Sequence, residues 1–200
     1  MRDTAINHTQ RGFTLVEAMV TVAVVVILAA VAIPGLQAFI ARSGMNAVRD
    51  DFAIALQRAR LDAINRNTCV SVCQMAGPGS TTCQTDAAAV GNWHLGWITY
   101  VNDACTLPDG AALAAADVIA VREPGNPRYE LTGNAGSAVT FDARGTRVSG
   151  AGTFTVSDAQ DANSPHKRDI VVSLQGRVAV SLSNDDAPDE TNDVPVADDR

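Results

Sequence analysis

The sequence predicts an α+β protein in which a long N-terminal helix packs on a C-terminal antiparallel β-sheet domain. Three observations among the 200 residues predict it. Residues 13–33 form an almost unbroken apolar block, and residues 43–66 carry apolar side chains at helical spacing. Short β-branched or aromatic runs follow residue 67, separated by turn residues. The helix is therefore expected to have a transmembrane half and an amphipathic half.

The apolar block is long enough to cross a membrane. Its 21 residues, 13–33, contain one charge, Glu17, and as a helix they extend roughly 32 Å, against a hydrocarbon core of about 30 Å. A cleaved secretory signal peptide is one alternative, because Ala30 and Ala32 imitate a cleavage site, but Pro34 and an amphipathic pattern follow directly. A plain membrane anchor is another alternative, but it gives no reason for a carboxylate inside the block.

The residues around Glu17 carry a processing signal. The chain reads GFTLVE from Gly12, after a short leader with Arg2 and Arg11 on the side that the positive-inside rule makes cytoplasmic. This segment resembles the signal of the type IV pilin and pseudopilin superfamily. The resemblance implies that a prepilin peptidase cuts between Gly12 and Phe13 and methylates Phe13. It also implies that Glu17 pairs with the N-terminal amine of a neighbouring subunit, so that two charges costly in lipid offset each other.

The predicted helix continues beyond the apolar block. Pro34 and Gly35 are expected to kink it or loosen it locally, because proline removes one hydrogen bond and clashes with the preceding turn. We expect the amphipathic half to pack on the globular domain through a stripe of apolar side chains. The stripe consists of Met45, Val48, Phe52, Leu56, Ala59 and Ala63.

The remainder of the chain reads as antiparallel strands joined by turns. Residues 106–117 are expected to be a loop, and residues 174–177 a tight hairpin between the last two strands. Together these patterns divide the chain into a leader (1–12), a transmembrane helix (13–42), a periplasmic globular domain (43–182) and a tail (183–200). The predicted strands cover residues 69–72, 97–101, 118–121, 138–141, 153–156, 170–174 and 177–182.

The charge of the protein is concentrated in the tail. The formal net charge of −7 argues against a general nucleic-acid-coating protein, which needs many Lys and Arg side chains to neutralise phosphates. Residues 183–200 hold seven acidic residues and one arginine, a net −6, and we expect them to be a disordered, solvated tail. Clustered carboxylates make a calcium site an alternative, but the spacing lacks the EF-hand pattern.

The sequence of the globular part narrows the resemblance from the type IV pilin superfamily to one family within it. The chain reads LQRARLDAINRNTCVSVC, then GNWHLGWITYVNDA, VTFDARGTRVSGAGTFTVSD and RDIVVSLQGRVAVS. This order is similar to the GspH/FimT family of minor pilins and pseudopilins, over residues 12–183. The resemblance implies a pilin-like fold, no catalysis, and partners that are other major and minor pilins or pseudopilins. The globular domain would face the periplasm from the inner membrane and reach the cell surface in an assembled pilus.

Some members of this family resemble DNA-uptake receptors with basic residues around the C-terminal Gly-Arg hairpin. Arg177 matches, but Ala179 stands where a second basic residue is expected. Arg144 and Arg147, with Lys167 and Arg168, could form a small patch for DNA contact. Nucleic acid is nevertheless disfavoured as a partner, because the acidic tail that follows would repel phosphate.

The four cysteines all lie beyond the membrane segment, on the side that faces an oxidising compartment, so disulfides are expected. Three connectivities are open. The pairing Cys73–Cys83 with Cys69–Cys105 is favoured, because Cys73 and Cys83 close a short Gly/Pro loop. Zinc is disfavoured, because the spacing Cys-x3-Cys is not typical of zinc sites and His94 lies in a strand-like run.

No catalytic motif is found in the sequence: neither a nucleophile elbow, nor a metalloprotease helix, nor a phosphate loop. We expect no enzyme activity, no cofactor and no metal. The predicted function is that of a minor type IV pilin that primes assembly or lies near the fibre tip. A pseudopilin of type II secretion, a DNA-uptake receptor and a simple anchored periplasmic domain are the alternatives.

Overall fold

The structure, a computed structural model, describes residues 13–86, 89, 91–134, 136–148, 152–161, 164 and 166–182. The predicted leader (1–12) and acidic tail (183–200) lie outside the described residues. The chain separates into two compact units, residues 1–41 and residues 42–200.

One helix, α1 (Leu15–Arg66), is the longest element of the chain. It stays helical through residues 34 and 35, so the loosened turn expected there is not seen, and the expected kink stays a prediction. A single proline removes one intrahelical hydrogen bond, and long helical segments on both sides of it keep the backbone helical. Arg66 ends the helix, and Asn67 follows with a positive φ of 53°, a conformation that asparagine tolerates at a helix C-terminus.

Two four-stranded antiparallel sheets make up the rest of the globular unit. The strands are β1 (Val70–Gln74), β2 (Trp97–Val101), β3 (Val118–Arg122), β4 (Tyr129–Gly133), β5 (Ala138–Phe141), β6 (Gly152–Asp158), β7 (Arg168–Val172) and β8 (Val178–Leu182). Their orders in the two sheets are β3-β2-β1-β5 and β4-β6-β7-β8. A short 3₁₀ turn (Trp93–Leu95) precedes β2.

The amphipathic half of α1 covers one face of both sheets. Its predicted stripe is buried, except that Val48 is only partly so. Phe52 is the centre of an aromatic cluster, with its ring centroid 5.2 Å from that of Trp93, 5.0 Å from Trp97 and 4.8 Å from Phe154, all in edge-to-face geometry. The core thus joins side chains from the helix, from both sheets and from the 3₁₀ turn.

Two details of the predicted secondary structure are wrong. Strand β4 was not predicted, although Tyr129 and Leu131 are buried and alternate with less buried neighbours. Prolines and glycines surround this short run, so the turn signals outweigh the alternation. His94, predicted to lie in a strand-like run, lies in the 3₁₀ turn. Trp93 in that turn is fully buried against Phe52, which holds the turn in place.

Gly44 allows α1 to approach β4 closely. A Cβ atom at this position would overlap the phenol ring of Tyr129. The ring therefore fills the space that any other residue would occupy, and glycine is required in the helix despite its low helix propensity. This contact places the start of the globular unit's helix directly over β4.

Candidate functional site

The start of α1 contains the predicted assembly residues. Gly12 lies outside the described residues, and Phe13 and Glu17 are both exposed. Thr14 precedes the first helical residue, and its Oγ1 accepts a hydrogen bond from the backbone N–H of Glu17 at 3.2 Å. Thr14 is therefore the N-cap, and Glu17 is the third helical residue, in the T-x-x-E order of a capping box.

This cap gives Glu17 a local role that the sequence interpretation missed. A carboxylate in the first turn also interacts favourably with the positive end of the helix dipole. The signal was present in the sequence as Thr14-x-x-Glu17. The cap fixes the first turn, so the Glu17 side chain projects from a defined helix end four residues after Phe13.

The first unit exposes an apolar surface along its length. Large apolar side chains from Phe13 to Ile40 are between 49% and 84% exposed, and no part of the most apolar 18-residue window is buried. By length and composition the helix can cross a membrane. Soluble monomers rarely expose an apolar patch of this extent, and such patches are typical of surfaces that contact lipid or other proteins.

The candidate DNA-contact residues lie on two turns that the structure brings together. Arg144 lies in the turn after β5, and Arg177 lies in the β7–β8 hairpin. Arg60 of α1 links the turns, because its Nε donates to the Gly145 carbonyl at 2.9 Å and its Nη2 to the Gln175 carbonyl at 3.2 Å. Gly176, with φ of 74°, packs so closely on the Gly145 carbonyl that a Cβ atom there would overlap it.

Asp142 organises the turn after β5 and weakens the electrostatic attraction of that turn for phosphate. Burial raises its pKa, but hydrogen bonds from the Thr146 hydroxyl, the Thr146 amide and the Arg144 amide outweigh this and lower the pKa overall. The carboxylate is therefore firmly ionised beside Arg144, and the positive charge of this turn is partly neutralised.

Arg147 differs from the other two arginines because it is buried. It lies opposite Phe141 in an antiparallel bridge, and directly opposed residues face the same side of a sheet, here the core side. Burial lowers the pKa of its guanidinium. Within the described residues its Nε and Nη1 have no hydrogen-bond partner. A side chain in this position is not available to a phosphate backbone.

The wider basic patch suggested by the sequence does not form. Arg168 contacts Asn46 of α1, whereas the turn of Arg144 is held by Arg60. Asn46 and Arg60 are separated by 14 residues, or about 21 Å of helix. Lys167 and Arg168 therefore belong to the opposite end of the globular unit from Arg144 and Arg177.

Two disulfides link loops to strand β1. Cys69 pairs with Cys105 and Cys73 pairs with Cys83, with Cα–Cα distances of 5.4 and 5.6 Å. This is the pairing that the sequence favours. The sequence separations of 36 and 10 residues correspond to about 4 and about 3 kcal/mol of loop-closure stabilisation in the chain-entropy description. Structural disulfides are typical of domains that fold in an oxidising compartment.

The described part of the chain offers no metal-binding geometry. No group of three or more His, Cys, Asp or Glu side chains there is placed to hold a metal ion. The cysteines of this part are all in disulfides. The candidate site is thus the capped apolar helix end, together with a domain whose surface carries separate basic regions.

The chain has a long apolar helix with a capped carboxylate start, followed by a disulfide-linked antiparallel domain, and the following matches to known families place it among the type IV pilins and pseudopilins. The chain matches the prokaryotic N-terminal methylation motif over residues 7–33 and the family of type II transport protein GspH over residues 49–176. The second match spans more than half of the chain, and the protein belongs to the GspH family. Membership in a pilin family indicates a structural protein rather than an enzyme.

Two known proteins are similar to this chain. The type IV major fimbrial protein FimA of Dichelobacter nodosus is 41% identical over 63 residues, which are 30% of this chain and span only 39% of FimA. The crystal structure of the type IV minor pilin FimU of Pseudomonas aeruginosa superposes with a TM-score of 0.51 at 18% identity, over 72% of this chain and 92% of FimU. At this identity the likeness to FimU establishes the pilin fold.

Proposed function

We propose that this protein is a minor type IV pilin that is inserted in the inner membrane and then incorporated into a pilus, where it primes assembly or lies near the tip. Prepilin peptidase cuts between Gly12 and Phe13 and methylates Phe13. Residues 13–42 hold the chain in the membrane with the globular domain in the periplasm. On assembly, the apolar helix exchanges lipid for the helices of other pilins, a transfer between surroundings of similar polarity.

The observation that carries this proposal is the exposed apolar first unit with Glu17 at its capped end. The cap gives Glu17 a local role in the helix, but a carboxylate without a partner of opposite charge remains costly beside lipid. Paired with the N-terminal amine of a neighbouring subunit, Glu17 recruits that subunit and fixes the helix register. The disulfides support a periplasmic domain.

The test is the amount of surface pili sheared from a strain that lacks the gene. We expect pili to be lost and to return with the intact gene but not with Glu17→Ala. Glu123→Ala is the matched control, because it removes an exposed glutamate from the globular unit, and it should restore pili fully. Mass spectrometry of the recovered protein should show a methylated N-terminus at Phe13.

Unchanged pili in the deletion strain would overturn the pilus role. Secretion through a type II system would then be the leading alternative, since the family match bears that description. It would be measured as the amount of secreted enzyme in the culture medium of the same strains.

A further inference from the structure

Three arginines and one histidine lie close together where the globular unit begins. Arg42, Asn46 and Arg49 are four and three residues apart on α1 and share one helix face. The start of β7 lies against this face, because Arg168 Nε donates to Asn46 Oδ1 at 3.3 Å and His166 Nε2 lies 3.2 Å from Arg42 Nη2. We refer to Arg42, Arg49, His166 and Arg168 as the basic cluster.

The basic cluster has more positive charge than its described neighbours offset. Arg168 is 8% exposed, and its partners are two neutral oxygens, Asn46 Oδ1 and the Lys167 carbonyl. Among the described residues no carboxylate forms an ion pair with Arg42 or Arg168, while Arg49 pairs with Asp50 at 2.8 Å. Burial lowers the pKa of Arg168, and the charges of Arg49 and Arg42 lower it further. A buried cation among cations is costly, and a bound anion would relieve that cost.

The position of the cluster along the chain indicates which anion is at hand. Arg42 stands 29 residues after Phe13, which is roughly 44 Å of helix, against about 40–45 Å for a bilayer with its headgroups. With the N-terminus at the cytoplasmic interface, Arg42 falls at the headgroup level of the periplasmic leaflet. This step rests on the membrane orientation in the proposed function.

We propose that the basic cluster binds the phosphate headgroup of an anionic phospholipid in the periplasmic leaflet. Guanidinium groups match phosphate oxygens in geometry and charge, and several arginines converge on this one place. The bound headgroup fixes the globular domain against the membrane surface before assembly. Extraction of the subunit into a fibre then requires release of this lipid.

The experiment uses the full chain in nanodiscs of phosphatidylcholine alone and of an equal mixture with phosphatidylglycerol, with hydrogen–deuterium exchange as the readout. Phosphatidylglycerol should slow exchange in peptides covering residues 42–49 and 166–168 by about fivefold or more, the effect of one arginine near an anionic surface. The double variant Arg42→Gln/Arg49→Gln should lose this slowing, and it spares the buried Arg168, whose replacement could unfold the domain. The control Arg58→Gln/Arg66→Gln removes equal charge farther along the same helix and should keep it.

Equal exchange in the two lipids would overturn the proposal. Loss of the slowing in both double variants would also overturn it, because the attraction would then be general. Equal slowing by inorganic phosphate in phosphatidylcholine discs would also overturn the proposal. Slowing that occurred only in the presence of another pilin subunit would overturn it as well. Failure of the chain to insert in the discs would overturn this inference together with the membrane orientation. Insertion without lipid dependence would overturn this inference alone.

Discussion

The two units of the chain place the same kinds of side chain in opposite surroundings. Phe52 in the globular unit is completely buried, whereas Phe39 in the first unit is 66% exposed. Both phenylalanines lie on the same helix, α1. The globular unit derives its stability from its own core, while the apolar surface of the first unit is stabilised only by what surrounds the protein. Paired substitutions in the two units test this contrast.

The largest effect is expected from shortening the two phenylalanines. Phe52→Ala removes the ring that contacts Trp93, Trp97 and Phe154, and should lower the free energy of unfolding of the globular unit by about 3–5 kcal/mol. Phe39→Ala should change it by less than about 0.5 kcal/mol. Denaturant unfolding of the full chain in detergent, followed by tryptophan fluorescence, measures both. Equal losses would mean that the first unit is part of the same cooperative core.

Replacing a glycine of α1 by alanine should have opposite effects on stability in the two units. Gly44→Ala forces a methyl group into the Tyr129 ring and should destabilise the globular unit by about 1–3 kcal/mol. Gly35→Ala meets open space, since nothing lies within 4 Å of its Cβ position. It should stabilise the helix by about 0.5–1 kcal/mol. Thermal unfolding of the domain and helix content by circular dichroism separate the two, and a stabilising Gly44→Ala would contradict the close approach to Tyr129.

A smaller and local effect is expected at the helix start. Thr14→Ala removes the N-cap of Glu17 and should destabilise the first turn by about 1 kcal/mol without altering unfolding of the globular unit. Thr21→Ala is the control, because that hydroxyl donates to the Ala18 carbonyl inside the helix and caps nothing. Amide exchange of Glu17 and Ala18 by NMR in micelles measures the difference. Unchanged exchange in Thr14→Ala would rule out the cap.

The smallest effect is a pH dependence confined to the globular unit. Two-point hydrogen bonding from Arg128 lowers the pKa of Asp158, and the Gln160 amide contributes. The folded pKa lies below the unfolded value, so this stabilisation is complete above about pH 4 and is lost as the pH falls through the folded pKa. Unfolding free energy should therefore decline in acid, and less so in Asp158→Asn. The exposed control Asp117→Asn should keep the full decline, and equal slopes in both variants would contradict this assignment.

Most of the fold could be predicted because its patterns are local. The stripe from Met45 to Ala63 predicted the buried helix face, and β-branched runs predicted seven of the eight strands. Strand β4 was not predictable in this way, because Tyr129 and Leu131 become strand residues through pairing with β6, a contact distant in sequence. Long-range pairing overrides weak local propensity at such positions.

The candidate site shows the same division. The processing and assembly roles inferred from Gly12 to Glu17 stay predictions, whereas the cap at Thr14, seen in the structure, was readable from the same letters. The burial of Arg147 was not, because it follows from the bridge to Phe141, which puts the guanidinium on the core side. The basic cluster also required the structure, since Arg42 and Arg168 are brought together only by the docking of β7 on α1.

Arg60 has a mechanical consequence. Its guanidinium donates to carbonyls in two separate turns, so a pull along α1 is transmitted to the turn after β5 and to the last hairpin at once. Separating the helix from the sheets would stretch both charge-assisted hydrogen bonds together rather than one after the other. If a subunit is pulled by its helix, the C-terminal hairpin should therefore move together with the helix, and strands β7 and β8 should not separate from it first.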